Sequence, residues 1–176
     1  MKISDHLVQY STEEFDFSVL VRESFPVNIR LYKSNVSYRN VILEIIRYMD
    51  EHLNTHFDDY ADPKGVAAAN LGFPFRIIGY KKKTSENQFF LNPKITHRSA
   101  GTVAKQTNCG SLRLATPVTV TRHHSIDIEY YDLAGEIQTK QSITSYEGGF
   151  TIQHEMDLID GKMITQVAIR TDSVVH

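Results

Sequence analysis

The sequence predicts an α+β fold, with antiparallel or mixed sheets packed around a helix that carries a His-Glu-x-x-Leu motif. Three observations lead there. An amphipathic stretch at residues 41–53 repeats its apolar positions at helical spacing, the middle of the chain alternates apolar and polar residues, and a second helical run follows Gly148-Gly149. At 176 residues the chain suffices for one domain with a substantial core.

Taken in order, residues 1–16 are polar with scattered apolar positions and are expected to form an amino-terminal arm, with residues 17–176 a single domain. From Ser37 onward, Ile42, Ile45, Ile46, Met49 and Leu53 line one face of an amphipathic helix, which Asp62-Pro63-Lys64-Gly65 breaks. Phe75 to Tyr80 and Phe89 to Leu91 are short strands separated by a polar lysine-rich turn, the second ending at Asn92-Pro93. The lysine run there reads as a solvated hairpin end. Val118 and Val120, then Ile126, Ile128 and Tyr130, alternate with polar residues as half-buried strands do. Asp132-Leu133-Ala134-Gly135 supplies a hairpin turn before a strand from Glu136 to Ile143. The helix bearing His154 is expected to end near Gly161.

Composition narrows the function classes. A formal net charge of −2 gives no nucleic-acid footprint and no attraction to an anionic membrane. One cysteine excludes an internal disulfide framework and fits a reducing compartment. The first residues lack an apolar signal-peptide core, and no apolar run is long enough to cross a bilayer. The expectation is a cytoplasmic protein, with an organelle matrix left open.

Chemistry concentrates in Gln153-His154-Glu155-Met156-Asp157-Leu158. In a His-Glu-x-x-His helix, histidines four residues apart project from one face toward a metal, and the glutamate exchanges protons with a metal-bound water. Here Leu158 stands at the second histidine position, and leucine has no lone pair to donate.

This segment is the last of three that occur in a fixed order, after Gly65-Val66-Ala67-Ala68-Ala69-Asn70-Leu71-Gly72 and Asn108-Cys109-Gly110-Ser111-Leu112. Together they resemble peptide deformylase, whose motifs are Gly-x-Gly-x-Ala-Ala-x-Gln, Glu-Gly-Cys-x-Ser and His-Glu-x-Asp-His. The likeness covers about residues 35 to 165, including the Arg122…Tyr131-Asp132…Gly135 hairpin. It implies a small α+β enzyme that removes the formyl group from the amino-terminal methionine of new polypeptides. It also implies a metal, commonly iron in cells, held by one cysteine and two histidines.

Carried onto this sequence, the resemblance makes His154 and Cys109 the metal ligands and Glu155 the acid/base. Asn70 takes the place of the glutamine that stabilises the oxyanion, one methylene shorter, while Gly65, Gly110 and Leu112 fall at substrate-binding positions. Pro63 replaces the first motif glycine. Two registers of the second motif stay open: one puts Cys109 at the ligand position with Thr107-Asn108 replacing Glu-Gly, and the other puts Ser111 there. Both lack the motif glutamate.

Plainer roles are available for the same residues. His154 can be a hydrogen-bonded histidine on a half-buried helix face, Glu155 a buried paired carboxylate, and Cys109 a small buried hydrophobe. Ala67-Ala68-Ala69 marks close packing, and Leu158 extends an apolar stripe with Ile152, Met156 and Ile159.

A catalytic zinc or iron site normally uses three protein ligands plus water, and this chain offers two at matching positions. The expected function is a peptide deformylase homologue impaired in catalysis, with no metal or a weakly bound iron, nickel or zinc ion. Its cleft would hold amino-terminal Met peptides or an unidentified protein, and no nucleic acid or membrane. The alternative is an active hydrolase of N-formylmethionyl peptides with an altered metal site.

Overall fold

A computed structural model describes residues 22–55, 64–81, 86–107 and 118–167 of the chain. The expected amino-terminal arm lies outside these residues. Seven strands, β1 Lys64–Ala67, β2 Ile77–Lys81, β3 Gln88–Arg98, β4 Thr102–Thr107, β5 Val118–His123, β6 Ser125–Tyr131 and β7 Ile137–Thr144, form two sheets. One has the order β1-β2-β3-β6-β7 and the other pairs β4 with β5, every strand pair being antiparallel. Four helices accompany them: α1 Ile29–Ser34, α2 Val36–Thr55, α3 Gly149–Ile159 and α4 Ile164–Val167.

The expected amphipathic helix is α2. Asn35 Oδ1 accepts the Tyr38 N–H at 2.9 Å and satisfies a first-turn donor that the helix itself cannot. Its buried residues are Ile42, Ile45, Ile46, Met49 and Leu53, the stripe that the spacing predicts.

Strand alternation sorts the five-stranded sheet's side chains between two cores. Val66, Ile77 and Leu91 point to the α2 side. Ala67, Ile78, Tyr80, Phe90, Ile126 and Ile128 point to the other side, where Ile152, Met156, Leu158 and Ile159 of α3 meet them. The sheet is thus sandwiched between α2 and α3. A smaller cluster of Val120, Phe150 and Ile164 joins β5 to α3 and α4.

Three features depart from the sequence reading. β3 does not end at Asn92-Pro93: it runs on to Arg98, with a register shift between Leu91 and Lys94. The irregularity is stabilised by Asn92 itself, at φ 50°. Its side chain accepts the Val27 N–H at 2.7 Å and donates to the Val27 carbonyl at 2.8 Å. β1 and β4 are strands that the hydrophobic pattern does not reveal, because Lys64-Gly65-Val66-Ala67 is short and glycine-containing and β4 is largely exposed. Phe75, expected in a strand, forms only an isolated bridge with Phe25 ahead of β2.

The turn from β7 into α3 needs glycine. Gly148 has φ 113°, and a Cβ there would overlap the Tyr80 ring, whose hydroxyl donates to the Glu147 carbonyl. Gly72, at φ 81°, has open space around it instead. Gly148→Ala should therefore destabilise by about 3 kcal/mol, backbone strain and overpacking together, against about 1 kcal/mol for Gly72→Ala. Urea unfolding of both variants checks this; equal losses would remove Tyr80 from the account.

Candidate active site on the third helix

α3 begins at Gly149 and ends at Ile159, with Asp160 as C-cap and Gly161 at φ 71°, so the helix stops where the glycine predicts. Its eleven residues bring the motif side chains to two faces. Glu155 and Leu158 share one face, Gln153 and Asp157 lie toward the other, and His154 projects between them.

Glu155 is buried at 4% exposure against the β1 edge. Gly65 makes that contact possible: a Cβ there would sit 2.7 Å from Glu155 Cγ and from Thr151 Cγ2. The substrate-position glycine of the sequence reading is thus a close-approach glycine between strand and helix. Burial pushes the Glu155 carboxyl up to about 8, opposed by the Arg122 charge and the Ala67 N–H and assisted by Asp157. Burial, with the Arg122 charge, likewise drives the His154 imidazole down to about 4. Both groups favour their neutral forms. Glu155 Oε2 and His154 Nδ1 are buried without hydrogen-bond partners, so the paired carboxylate expected at Glu155 is only partly realised.

Asn70 lies on the short 3₁₀ turn Ala68–Leu71 that follows β1. Its Oδ1 accepts the Ala67 N–H at 2.8 Å, so the carboxamide oxygen is committed to its own turn. Ala67, Ala68 and Ala69 are fully buried, which is the close packing their size suggests. Leu158, at 1% exposure, belongs to the core with Ile152, Met156 and Ile159. Cys109, Gly110, Ser111 and Leu112 lie outside the described residues, so the two registers of the second motif stay open.

The other face of α3 anchors the helix to β5. Gln153 Oε1 accepts the His123 N–H at 3.1 Å, and Nε2 donates to the His123 carbonyl at 3.0 Å and the Gly149 carbonyl at 3.1 Å. Arg122 Nη1 pairs with Asp157 Oδ2 at 2.7 Å, with the arginine 7% exposed and its guanidinium 5.5 Å from the Phe150 ring centroid. In the sequence Gln153 and Asp157 are only motif letters; their clamp depends on β5 folding beside α3, which no local pattern announces.

A family model described as polypeptide deformylase matches residues 6–173. The chain belongs to the polypeptide deformylase family. A peptide deformylase of Enterococcus faecalis is 34% identical over 109 residues, 56% of this chain and 57% of that protein. The chain spans little more than half the length of several of the curated relatives it matches. Among solved structures, the Thermotoga maritima peptide deformylase aligns at TM-score 0.68 and 24% identity over 85% of this chain and 90% of that one. The Acinetobacter baumannii peptide deformylase bound to Met-Ala-Ser aligns at TM-score 0.68 and 17% identity, over 88% and 94%. The α+β fold with antiparallel sheets is that of the family.

Peptide deformylases usually bind a divalent metal. The described residues do not fit one: His154 supplies one imidazole, Leu158 supplies only methyl groups, and no three His, Cys, Asp or Glu side chains converge among the described residues. No described helix is long and apolar enough to cross a membrane.

Two outcomes follow for the metal-free chain. Between pH 4.5 and 8 the folded state keeps a proton on Glu155 that the unfolded chain has lost, so stability falls as pH rises. Between pH 6.5 and 4 the unfolded chain protonates a histidine that the folded state holds neutral, so stability falls as pH drops. Glu155→Gln should abolish the alkaline decline and leave the acid one, seen as melting temperature against pH; an unchanged alkaline limb would assign it elsewhere. Separately, Asp157→Ala should cost about 3 kcal/mol by stranding the Arg122 charge, and Arg122→Met with Asp157→Leu should recover most of it. Denaturant unfolding of the set measures both numbers.

Proposed function

We propose that the chain is a peptide deformylase homologue impaired in metal-dependent catalysis, which keeps its cleft for binding amino-terminal Met peptides or one protein partner. The observation that carries this is Leu158, sealed in the core one turn beyond His154 where the family places a second imidazole. Removing a ligand takes away a lone pair; filling its place with packed leucine also removes the room for an ion. Asn70 adds support, since its carboxamide is one methylene shorter than the family's glutamine and is anchored through its oxygen within its own turn. An oxyanion donor must be held where negative charge develops, and a shorter, locally bonded amide is poorly suited to that.

As for the ligand, the Acinetobacter baumannii relative holds a Met-Ala-Ser peptide. An amino-terminal Met peptide is accordingly the ligand class to try first, in a cytoplasmic setting.

The deciding measurement is bound metal per chain after anaerobic purification and reconstitution with iron, nickel or zinc, alongside a Cys109→Ser control. The expected result is well below one ion per chain and no deformylation of an N-formylmethionyl peptide. Near-stoichiometric metal that falls in the control would put the active hydrolase ahead. Leu158→His with Asn70→Gln should raise occupancy; no gain would count against a site lost at those positions alone.

A further inference from the structure

We propose that a polar cavity on the reverse face of α3 binds a small oxyanion, a phosphate or carboxylate group. The cavity has a volume of about 240 Å³ and is bounded by the Gln153, Met156, Asp157 and Asp160 side of α3 together with Arg98, Arg122 and Lys162. On a helix Gln153, Asp157 and Asp160 lie away from Glu155 and Leu158, His154 falls between the two faces, and none of His154, Glu155 and Leu158 lines the cavity. Drug-sized ligands occupy pockets of roughly 300–1,000 Å³, and a smaller polar cavity suits a single compact charged group.

Its charges select the sign of the ligand. Arg98, Arg122 and Lys162 contribute three cations, and Asp157 and Asp160 contribute two carboxylates, both already engaged. Asp157 pairs with Arg122, and Asp160 lies 2.8 Å from Arg76 Nη1 and 3.7 Å from Lys162 Nζ. Arg98 forms no ion pair among the described residues, so the wall keeps an excess of positive charge.

The second observation is the state of Arg122. Its Nη1 serves Asp157 and its guanidinium carbon lies 5.5 Å from the Phe150 ring centroid, but Nε and Nη2 are buried without any hydrogen-bond partner. Unpaired buried donors are rare in native proteins, and a missing ion is one of the standard resolutions. An oxyanion is the acceptor that a guanidinium fork matches best. Because these two nitrogens are closed off from solvent, occupancy requires a small side-chain shift that opens the inner wall toward the ligand.

The test titrates the full chain with inorganic phosphate and with malonate, against sodium chloride at matched ionic strength, following melting temperature and heat of binding. A saturable response to phosphate, malonate or both, absent with chloride, is expected. Phosphate alone would specify a phosphoryl ligand and malonate alone a carboxylate. The exposed double variant Arg98→Gln, Lys162→Gln should weaken that response about tenfold without altering the ligand-free melting temperature. Arg122→Lys, which keeps the charge facing Asp157, should weaken it similarly; if that variant fails to fold, the double variant decides alone. A chloride response equal to that of phosphate and malonate, or an unchanged response in the double variant, overturns the proposal.

Discussion

The arrangement around α3 depends on how closely that helix approaches β1 at Gly65. With no Cβ at that position, the helix backbone comes near enough for Thr151 and Glu155 to lie directly against the strand. That approach buries Glu155, sets Leu158 and Ile159 into the sheet core, and turns Gln153 and Asp157 toward β5. A bulkier residue at 65 would lift the helix and disturb all of these contacts together. Close packing transmits such a displacement because the interior has few voids to absorb it.

α3 is held from both sides by different physics. On the β1 side the contact is apolar burial plus one carboxyl with little ionic support. On the β5 side it is directional, through the Gln153 amide clamp and the Arg122–Asp157 pair. Hydrophobic burial fixes that the helix packs, and the polar contacts fix its rotation, since a turn of the helix about its axis would break both Gln153 bonds at once. The orientation of His154 and Glu155 is therefore set by contacts on both sides of the helix.

Much of this was legible in the sequence, and the reasons differ by residue. The α2 stripe was legible because five apolar residues recur at helical spacing and all five are buried. The termination of α3 was legible from Gly161, which adopts the left-handed conformation there. β1 was not, because Gly65, Ala67 and the two alanines after it have poor strand propensity and are selected for size by what packs on them. Asn92-Pro93 misled for the opposite reason: locally it spells a strand end, yet hydrogen bonds to Val27, distant in sequence, hold the strand in line through the irregularity. At the site, the replacement of a ligand by Leu158 could be read from one letter. Its burial is a tertiary fact, while the bond of the Asn70 oxygen to the Ala67 N–H belongs to the local turn.

Replacing the second imidazole with leucine has consequences beyond the missing lone pair. In a metal centre, the ion would stabilise an ionised carboxylate beside it and engage the imidazole lone pair, offsetting the burial of both groups. With leucine in the core, Glu155 is still buried and His154 half-buried, and burial is the largest influence on the protonation of each, the Arg122 charge working with it at His154 and against it at Glu155. Neutral buried groups cost far less than buried ions, so the helix tolerates them without a metal. Keeping the two groups neutral removes the largest burial penalty, and Leu158 packs into the core one turn beyond His154.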